Sequence, residues 1–341
     1  MDGNRYDAGF KKGERDMEIG IYGIGTFGFA FSYLIGKKYK VIAYDRNRDL
    51  INYLRKNRRH LYHFRNRKAP KNVEFTNDLN DLDKANHIIM AVPSFAVREV
   101  AKNMKHFKNK VIINTAKALE RKTAKRLSRV IKEEMDAEVA QFSGGTFATD
   151  IIKGAPLGAD LACEDAALLR ELQSLFSFPS LRIYGNADLA GVEYAGAFKN
   201  VIAIFAGIMY GLRLPYGSIT HMISRAAKEA RDIAIALGAK SHTFSMESQC
   251  WGNDLWMSCT GKSRNREFGV LIGKGMDAEK ALKIMEKQHK MVEGYYTLEA
   301  IPKLKKVKAD ILTEIYEIVF NGKDARKAIK DIMEREPEMI E

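Results

Sequence analysis

The stretch GVEYAGAFKNVIAIFAG, residues 191–207, sets Glu193, Lys199 and Asn200 into otherwise apolar sequence. A charge inside an apolar helix is costly unless it is paired or exposed. The ammonium and its neighbouring amide are therefore candidates for chemistry. Glu193 lies six residues before Lys199, which is not a facing distance on a helix. It is expected to pair with another group or to cap local backbone. A second stretch, GIGTFG, supplies Gly23, Gly25, Thr26, Phe27 and Gly28, with Asp45 lying 20 residues beyond Gly25. Glycines at this spacing permit a tight turn, a close backbone approach to a pyrophosphate and close helix–strand packing, and the following helix offers free N–H groups to phosphate. A carboxylate at Asp45 suits ribose hydroxyls and repels a 2′-phosphate, which favours NAD(H). Arg46 and Arg48 could instead pair with a 2′-phosphate, so NADP(H) stays open.

The elements that must position these groups are legible in outline. EIGIY and KVIAYD read as strands on either side of the glycine-initiated helix. VEFTNDL, HIIMAVPS, KVIINTAK and EVAQFSG follow as further strands, separated by helical segments at about 94–105 and 121–135. This alternation predicts an α/β fold, a Rossmann-type parallel sheet with helices on both faces. The nicotinamide of a bound dinucleotide is expected past the strand end at AVPS, near Pro93. LRIYGN reads as a last strand, and the sequence beyond it is almost all helix. The division expected is an extension at 1–16, a dinucleotide-binding domain at 17–190 and an all-α substrate and oligomerisation domain at 191–341.

The chain has 341 residues, 46% hydrophobic and 29% charged, with a net charge of +13, an ordinary globular composition. Ten Lys or Arg against one Asp fall between Arg46 and Lys71. Such a run is a solvated face or a means of attracting anionic ligands. No compact motif for reading nucleic acid accompanies it, so no nucleic-acid partner is expected. Cys163, Cys250 and Cys259 show no metal-ligand spacing, so reduced thiols, a cytoplasmic location and no metal are expected. The N-terminus lacks the apolar core of a signal peptide. The apolar run near 201–210 is too short to span a membrane.

The anchors GIGTFG, AVPS, TAKALE, GVEYAGAFKNVIAIFAG, ISRAAKE, SCTGKSRNREFG and VEGYYT together resemble the NAD(P)-dependent glycerol-3-phosphate dehydrogenases, over roughly residues 18–335. The resemblance implies reversible reduction of dihydroxyacetone phosphate to sn-glycerol 3-phosphate by a homodimer. Hydride would come from the nicotinamide, and Lys199 would act on the carbonyl oxygen as proton donor, or as base for the alcohol. It implies that Lys117 also faces the substrate. Asn200, Asp254, Ser258, Arg264 and Asn265 would bind substrate, with Arg264 meeting the cofactor too. The ammonium is then explained by a helix face that looks into the interdomain cleft. His221 and His242 have no fixed carboxylate partner in the sequence and are expected to be structural. Trp251 and Trp256 read as packing residues.

Three departures from the family pattern fall where it encloses substrate. SGGTFATD (143–150) has Gly145 for a proline and Asp150 for a glutamate. AKAL (116–119) has Ala118 for a glycine. MESQCWGND (246–254) is about two residues longer than its counterpart. These changes keep open another small phosphorylated ketone or hydroxy acid as substrate, and the remaining alternative is a non-catalytic dinucleotide-binding sensor. A further departure, ADILTE at 309–314, lies near the C-terminus.

Overall fold

The computed structural model describes residues 17–304 and 307–335. The extension expected at 1–16 lies outside the described residues. Eight strands form one sheet: β1 Glu18–Tyr22, β2 Lys40–Tyr44, β3 Val73–Thr76, β4 His87–Met90, β5 Lys110–Asn114, β6 Ala137–Ser143, β7 Leu157–Ala162 and β8 Leu181–Asn186. Their order is β3-β2-β1-β4-β5-β6-β7-β8. The order reverses between β1 and β4, where an open α/β sheet leaves a crevice beyond its carboxyl ends.

The first six strands are parallel, as expected. The sheet is not parallel throughout: β7 runs antiparallel to β6, pairing Gln141 with Ala162, and β8 then runs parallel to β7. After β6 the chain makes only the short helix Ala148–Lys153 and a left-handed turn at Gly154, φ +71°. β7 is absent from the expected strands because LGADLA carries Gly158 and Asp160, residue types that strands disfavour. Its polar residue has a structural use. Buried Asp160 accepts hydrogen bonds from Ser248 Oγ (3.0 Å) and Cys250 N (2.7 Å).

The sheet is covered on both faces. Apolar residues of helices Thr26–Ile35, Arg48–Asn57 and Ala166–Phe176 form a core with Ile19, Val41, Ile89 and Ile113. Helices Val97–Asn103 and Leu127–Glu134 cover Ile42, Ile88, Met90 and Ile112 on the opposite side. The helix expected at 121–135 is thus shorter at its start, because Leu119 and Arg126 form an isolated bridge there.

Helix Leu189–Gly211 is the axis of the all-helical region. It is long and apolar enough to cross a membrane, yet its most apolar window is wholly buried within the protein. Its apolar composition is that of a core element enclosed on all sides, and each fully buried Ile or Phe contributes about 1.5–3 kcal/mol. Helix Arg264–Gly273 crosses it at backbone contact. A Cβ on Gly269 would fall 2.0 Å from Ile204 O, and one on Gly207 would fall 2.1 Å from Arg266 O. This crossing brings the start of helix 264–273 beside the middle of helix 189–211.

Candidate active site

The carboxyl ends of the parallel strands deliver most of the candidate residues to one edge of the sheet. After β1, Gly23 takes φ +95°, and a Cβ there would meet Ala91 O at 2.7 Å. A Cβ on Gly28 would fall 1.9 Å from Gly23 O. Gly25 differs: a Cβ on it would meet nothing within 4 Å. The loop's packing therefore leaves open the face on which a ligand would approach. Helix Thr26–Ile35 begins with no side-chain cap and no acidic residue in its first turn, so its leading N–H groups are free for an anion. Thr26 and Phe27 are half-buried in that turn, and Phe27 stacks on Phe31 at 4.7 Å. Asp45, at the end of β2, accepts from Ile24 N through Oδ2 (2.8 Å) and from Asn47 N through Oδ1 (2.9 Å). Each carboxylate oxygen keeps further acceptor capacity.

Past β4, Pro93 leads into a short 3-10 turn at Ser94–Ala96. Past β5, Asn114 and Gln141 are buried and hydrogen-bonded to one another (2.7 Å), and both donate to Ala116 O (3.2 and 3.1 Å). They fix the backbone that carries Lys117. Lys117 Nζ then donates to Gly144 O, past β6, and to Asp254 Oδ2, both at 2.7 Å.

Lys199 Nζ donates to Asp254 Oδ1 (2.9 Å) and Ser258 Oγ (2.8 Å). Lys199 is 5% exposed and Asp254 1%. The ammonium is thus compensated by a carboxylate as well as placed at the junction of the sheet edge and the helices. One buried carboxylate holds two lysines, one from each region. Burial lowers the Lys199 pKa from the ordinary lysine value, Asp254 opposes that shift and Lys117 adds to it. Burial pushes the Asp254 carboxyl up, but the two ammoniums outweigh it and hold its pKa below the ordinary value. Lys199 is a charged group with a weakened hold on its proton, as a proton donor to a nascent alkoxide requires.

Asn200 and Asn265 form a buried relay. Asn200 Nδ2 donates to Lys117 O (2.8 Å), Asn265 Nδ2 donates to Asn200 Oδ1 (2.8 Å), and Gly294 N donates to Asn265 Oδ1 (2.9 Å). Arg264, beside Asn265, is exposed and makes no hydrogen bond or ion pair among the described residues. Glu193 does what its spacing implied. It accepts from Arg126 Nη1 (2.7 Å), Ser128 Oγ (2.6 Å) and Ser128 N (2.7 Å), which pairs a buried arginine and caps helix Leu127–Glu134.

Glu293 has no site role in the sequence reading, although VEGYYT contains it. Its Oε1 accepts from Ser94 N at 3.1 Å, tying helix Glu293–Ala300 to the strand end at Pro93. Its Oε2 and the Ser94 hydroxyl are buried with no partner in hydrogen-bond geometry among the described residues, and burial raises its pKa above the ordinary glutamate value against the opposing pull of Ser94. Buried polar atoms without partners call for a polar ligand. The open face at Gly25, the uncapped helix start and these orphaned atoms fit a dinucleotide lying along the strand ends.

Two of the departures prove to be neighbours. The longer run before Asp254 forms a π-helical turn, Gln249–Asn253, the form an α-helix takes when it holds extra residues in one turn. A Cβ on Gly145 would lie 3.0 Å from Asn253 Nδ2, and one on Gly158 2.5 Å from Gln249 Oε1. The glycine in place of a proline thus makes room for the widened turn.

Fold and site together define a two-part dinucleotide-binding protein with a buried lysine and a half-buried one, Lys199 and Lys117, sharing one carboxylate between a Rossmann-type sheet and a helical region. Residues 18–169 match the NAD-dependent glycerol-3-phosphate dehydrogenase N-terminus, and residues 188–330 match the C-terminus of the same family. The chain is 35% identical over 327 residues to a protein of Clostridium botulinum named glycerol-3-phosphate dehydrogenase [NAD(P)+], covering 94% of this chain and 98% of that one. A protein of the same name from Halothermothrix orenii is 33% identical over 332 residues, covering 94% and 95%. The crystal structure of glycerol-3-phosphate dehydrogenase from Coxiella burnetii superposes with a TM-score of 0.86 at 26% identity, covering 94% of this chain and 99% of that one. The chain belongs to the NAD-dependent glycerol-3-phosphate dehydrogenase family.

Proposed function

We propose that this protein reversibly reduces dihydroxyacetone phosphate to sn-glycerol 3-phosphate with NAD(P)H, and that Lys199 handles the proton. One observation carries the assignment of roles. The Lys199 ammonium is buried, two of its three donors are taken by Asp254 and Ser258, and the third is uncommitted among the described residues. An ammonium has three N–H donors, so one is available to a ketone oxygen.

When bound, the nicotinamide supplies the hydride. Negative charge then develops on the carbonyl oxygen, where Lys199 stabilises it and delivers the proton. In the reverse direction neutral Lys199 takes the proton from the alcohol. Asp254 and Ser258 fix the direction of the amine. Lys117, 19% exposed at its side chain, supplies a second positive charge on the side from which substrate enters. Asn200 and Asn265 brace the lysines through their relay, and each amide nitrogen keeps one hydrogen for substrate. Arg264, with no hydrogen bond or ion pair among the described residues and only the longer-range charges of Glu293 and Glu267 acting on it, takes phosphate with its planar fork. Gly23, Gly25, Thr26, Phe27, Gly28 and Pro93 would hold the cofactor, with Arg264 and Glu293 meeting it. Asp45 favours NAD(H), since its carboxylate repels a 2′-phosphate. The same reading includes a homodimer in the cytoplasm, checked by sedimentation and by cell fractionation.

Initial rates of NADH and NADPH oxidation with dihydroxyacetone phosphate test substrate, turnover and cofactor choice together. The reading expects turnover with both substrate and cofactor present, and faster turnover with NADH. The Gly145–Asn253 contact favours one alternative, a different small phosphorylated ketone or hydroxy acid. A substrate panel at fixed NADH decides it, since a better substrate than dihydroxyacetone phosphate displaces the leading reading.

A further inference from the structure

The segment after helix Arg48–Asn57 carries a histidine that the proposed reaction does not use. His60 is 2% exposed, although the chain around it is strongly basic and largely at the surface. Its ring meets the edge of Phe29 at 5.5 Å and lies 4.9 Å from the ring of His63. Nδ1 receives two backbone N–H groups, from Tyr62 and His63, each at 3.1 Å. An atom facing two donors is an acceptor, so the ring proton sits on Nε2. Nε2 lies 3.0 Å from Ile24 O and therefore donates to it. Burial lowers the His60 pKa to about 4, which keeps the ring neutral at physiological pH.

Ile24 is the residue between the first two glycines of GIGTFG. Its N–H is held by Asp45 Oδ2 at 2.8 Å and its C=O by His60, so the residue is gripped from both sides. The carbonyl of Ile24 and the N–H of Gly25 belong to one trans peptide and point in opposite directions. Drawing the carbonyl toward His60 turns the Gly25 N–H away from it. Gly25 is exposed, and beyond its chain neighbours no atom of the described residues lies within 4 Å of where its Cβ would be.

We propose that His60 is a positioning residue for dinucleotide binding: by holding the Ile24 carbonyl it aims the Gly25 N–H into the phosphate cradle of the glycine loop. The proposal rests on the functional reading above, in that the ligand of the loop is taken to be a nicotinamide dinucleotide. His60 touches neither cofactor nor substrate and acts through one peptide plane.

Two conservative variants separate this role from a purely structural one. His60→Gln keeps a donor where Nε2 stood and gives up the acceptor for Tyr62 and His63. His60→Asn keeps the acceptor and gives up the donor. NADH is titrated calorimetrically into the full chain without substrate, alongside Tm and kcat at saturating NADH. The proposal expects His60→Gln to bind within about threefold of wild type and His60→Asn to bind about tenfold more weakly, as loss of one orienting hydrogen bond implies, with kcat nearly unchanged in both. If His60 only secured its own turn, His60→Asn would bind at least as tightly as His60→Gln, and that ranking overturns the proposal. In the unsubstituted protein, imidazole nitrogen NMR is expected to show the proton on Nε2, and a proton on Nδ1 overturns it without any variant. A wild-type protein that takes up neither NADH nor NADPH overturns the functional reading itself and this proposal with it.

Discussion

Lys199 and Asp254, 55 residues apart in sequence, meet at 2.9 Å in a site where neither is more than 5% exposed. The other oxygen of the same carboxylate holds Lys117 at 2.7 Å. A buried charge left without its partner costs far more than an exposed one, so this carboxylate makes the paired lysines compatible with the core. Asp254→Asn leaves two ammoniums facing each other across a neutral amide. Chemical denaturation is expected to show a loss of about 3 kcal/mol, with the Lys199 proton held still more weakly. An unchanged stability would mean that the two lysines are compensated elsewhere.

The pH dependence has a definite sign. Burial holds the Lys199 pKa below the ordinary 10.5. Reduction needs the protonated amine, so kcat/KM for dihydroxyacetone phosphate falls as pH rises through that lowered value. Oxidation needs the free amine and rises through the same window. Profiles measured in both directions should show mirrored limbs below pH 10.5. Limbs that fail to mirror would assign the proton to another group.

Glu193 and Arg126 form the second buried pair, at 2.7 Å. Glu193→Ala strands the arginine and removes the cap on Ser128 N, a loss expected at about 3–5 kcal/mol in urea unfolding. Glu193→Gln keeps acceptor capacity and is expected to cost less. The lysine site lies elsewhere on the helix, so whatever protein stays folded should keep its KM values.

Burial raises the pKa of both Glu193 and Glu293, but Glu293 has one oxygen without a partner among the described residues. Its folded pKa lies above the ordinary glutamate value because burial penalises the charge. A raised carboxyl pKa contributes stability that is present at acid pH and lost as pH rises through the folded value. At pH 8, above the ordinary glutamate value of 4.5, that group is therefore a burden on the fold. Glu293→Gln should raise Tm by about 2–4 °C at that pH, show little gain near pH 4, and weaken NADH binding. A lower Tm at pH 8 would contradict the role given to its unpartnered oxygen.

Much of this architecture was legible because its signals are local. Gly23 and Gly28 answer to close contacts within a few residues of the chain or with the next strand end, and the apolar run of 189–211 reads directly as a buried helix. The lysine's burial was legible in the same way. Its compensation was not, because Asp254 and Ser258 arrive from another helix, and the widened turn before Asp254 obscured its alignment. Arg126 stands 67 residues from Glu193, beyond any periodicity. β7 was missed because a buried aspartate serving a distant loop breaks the apolar pattern. The roles of Glu293 and His60 depend on atoms that only the folded chain brings together: one is an oxygen left without a partner, the other a carbonyl held in place.

The central claim is that the Lys199 amine reaches the reacting oxygen. The most direct measurement is single-turnover oxidation of prebound NADH by dihydroxyacetone phosphate in Lys199→Met, with NADH affinity measured on the same protein. The account predicts transfer slower by about 1,000-fold, with NADH affinity within about threefold of wild type. Transfer within tenfold of the wild-type rate would contradict it.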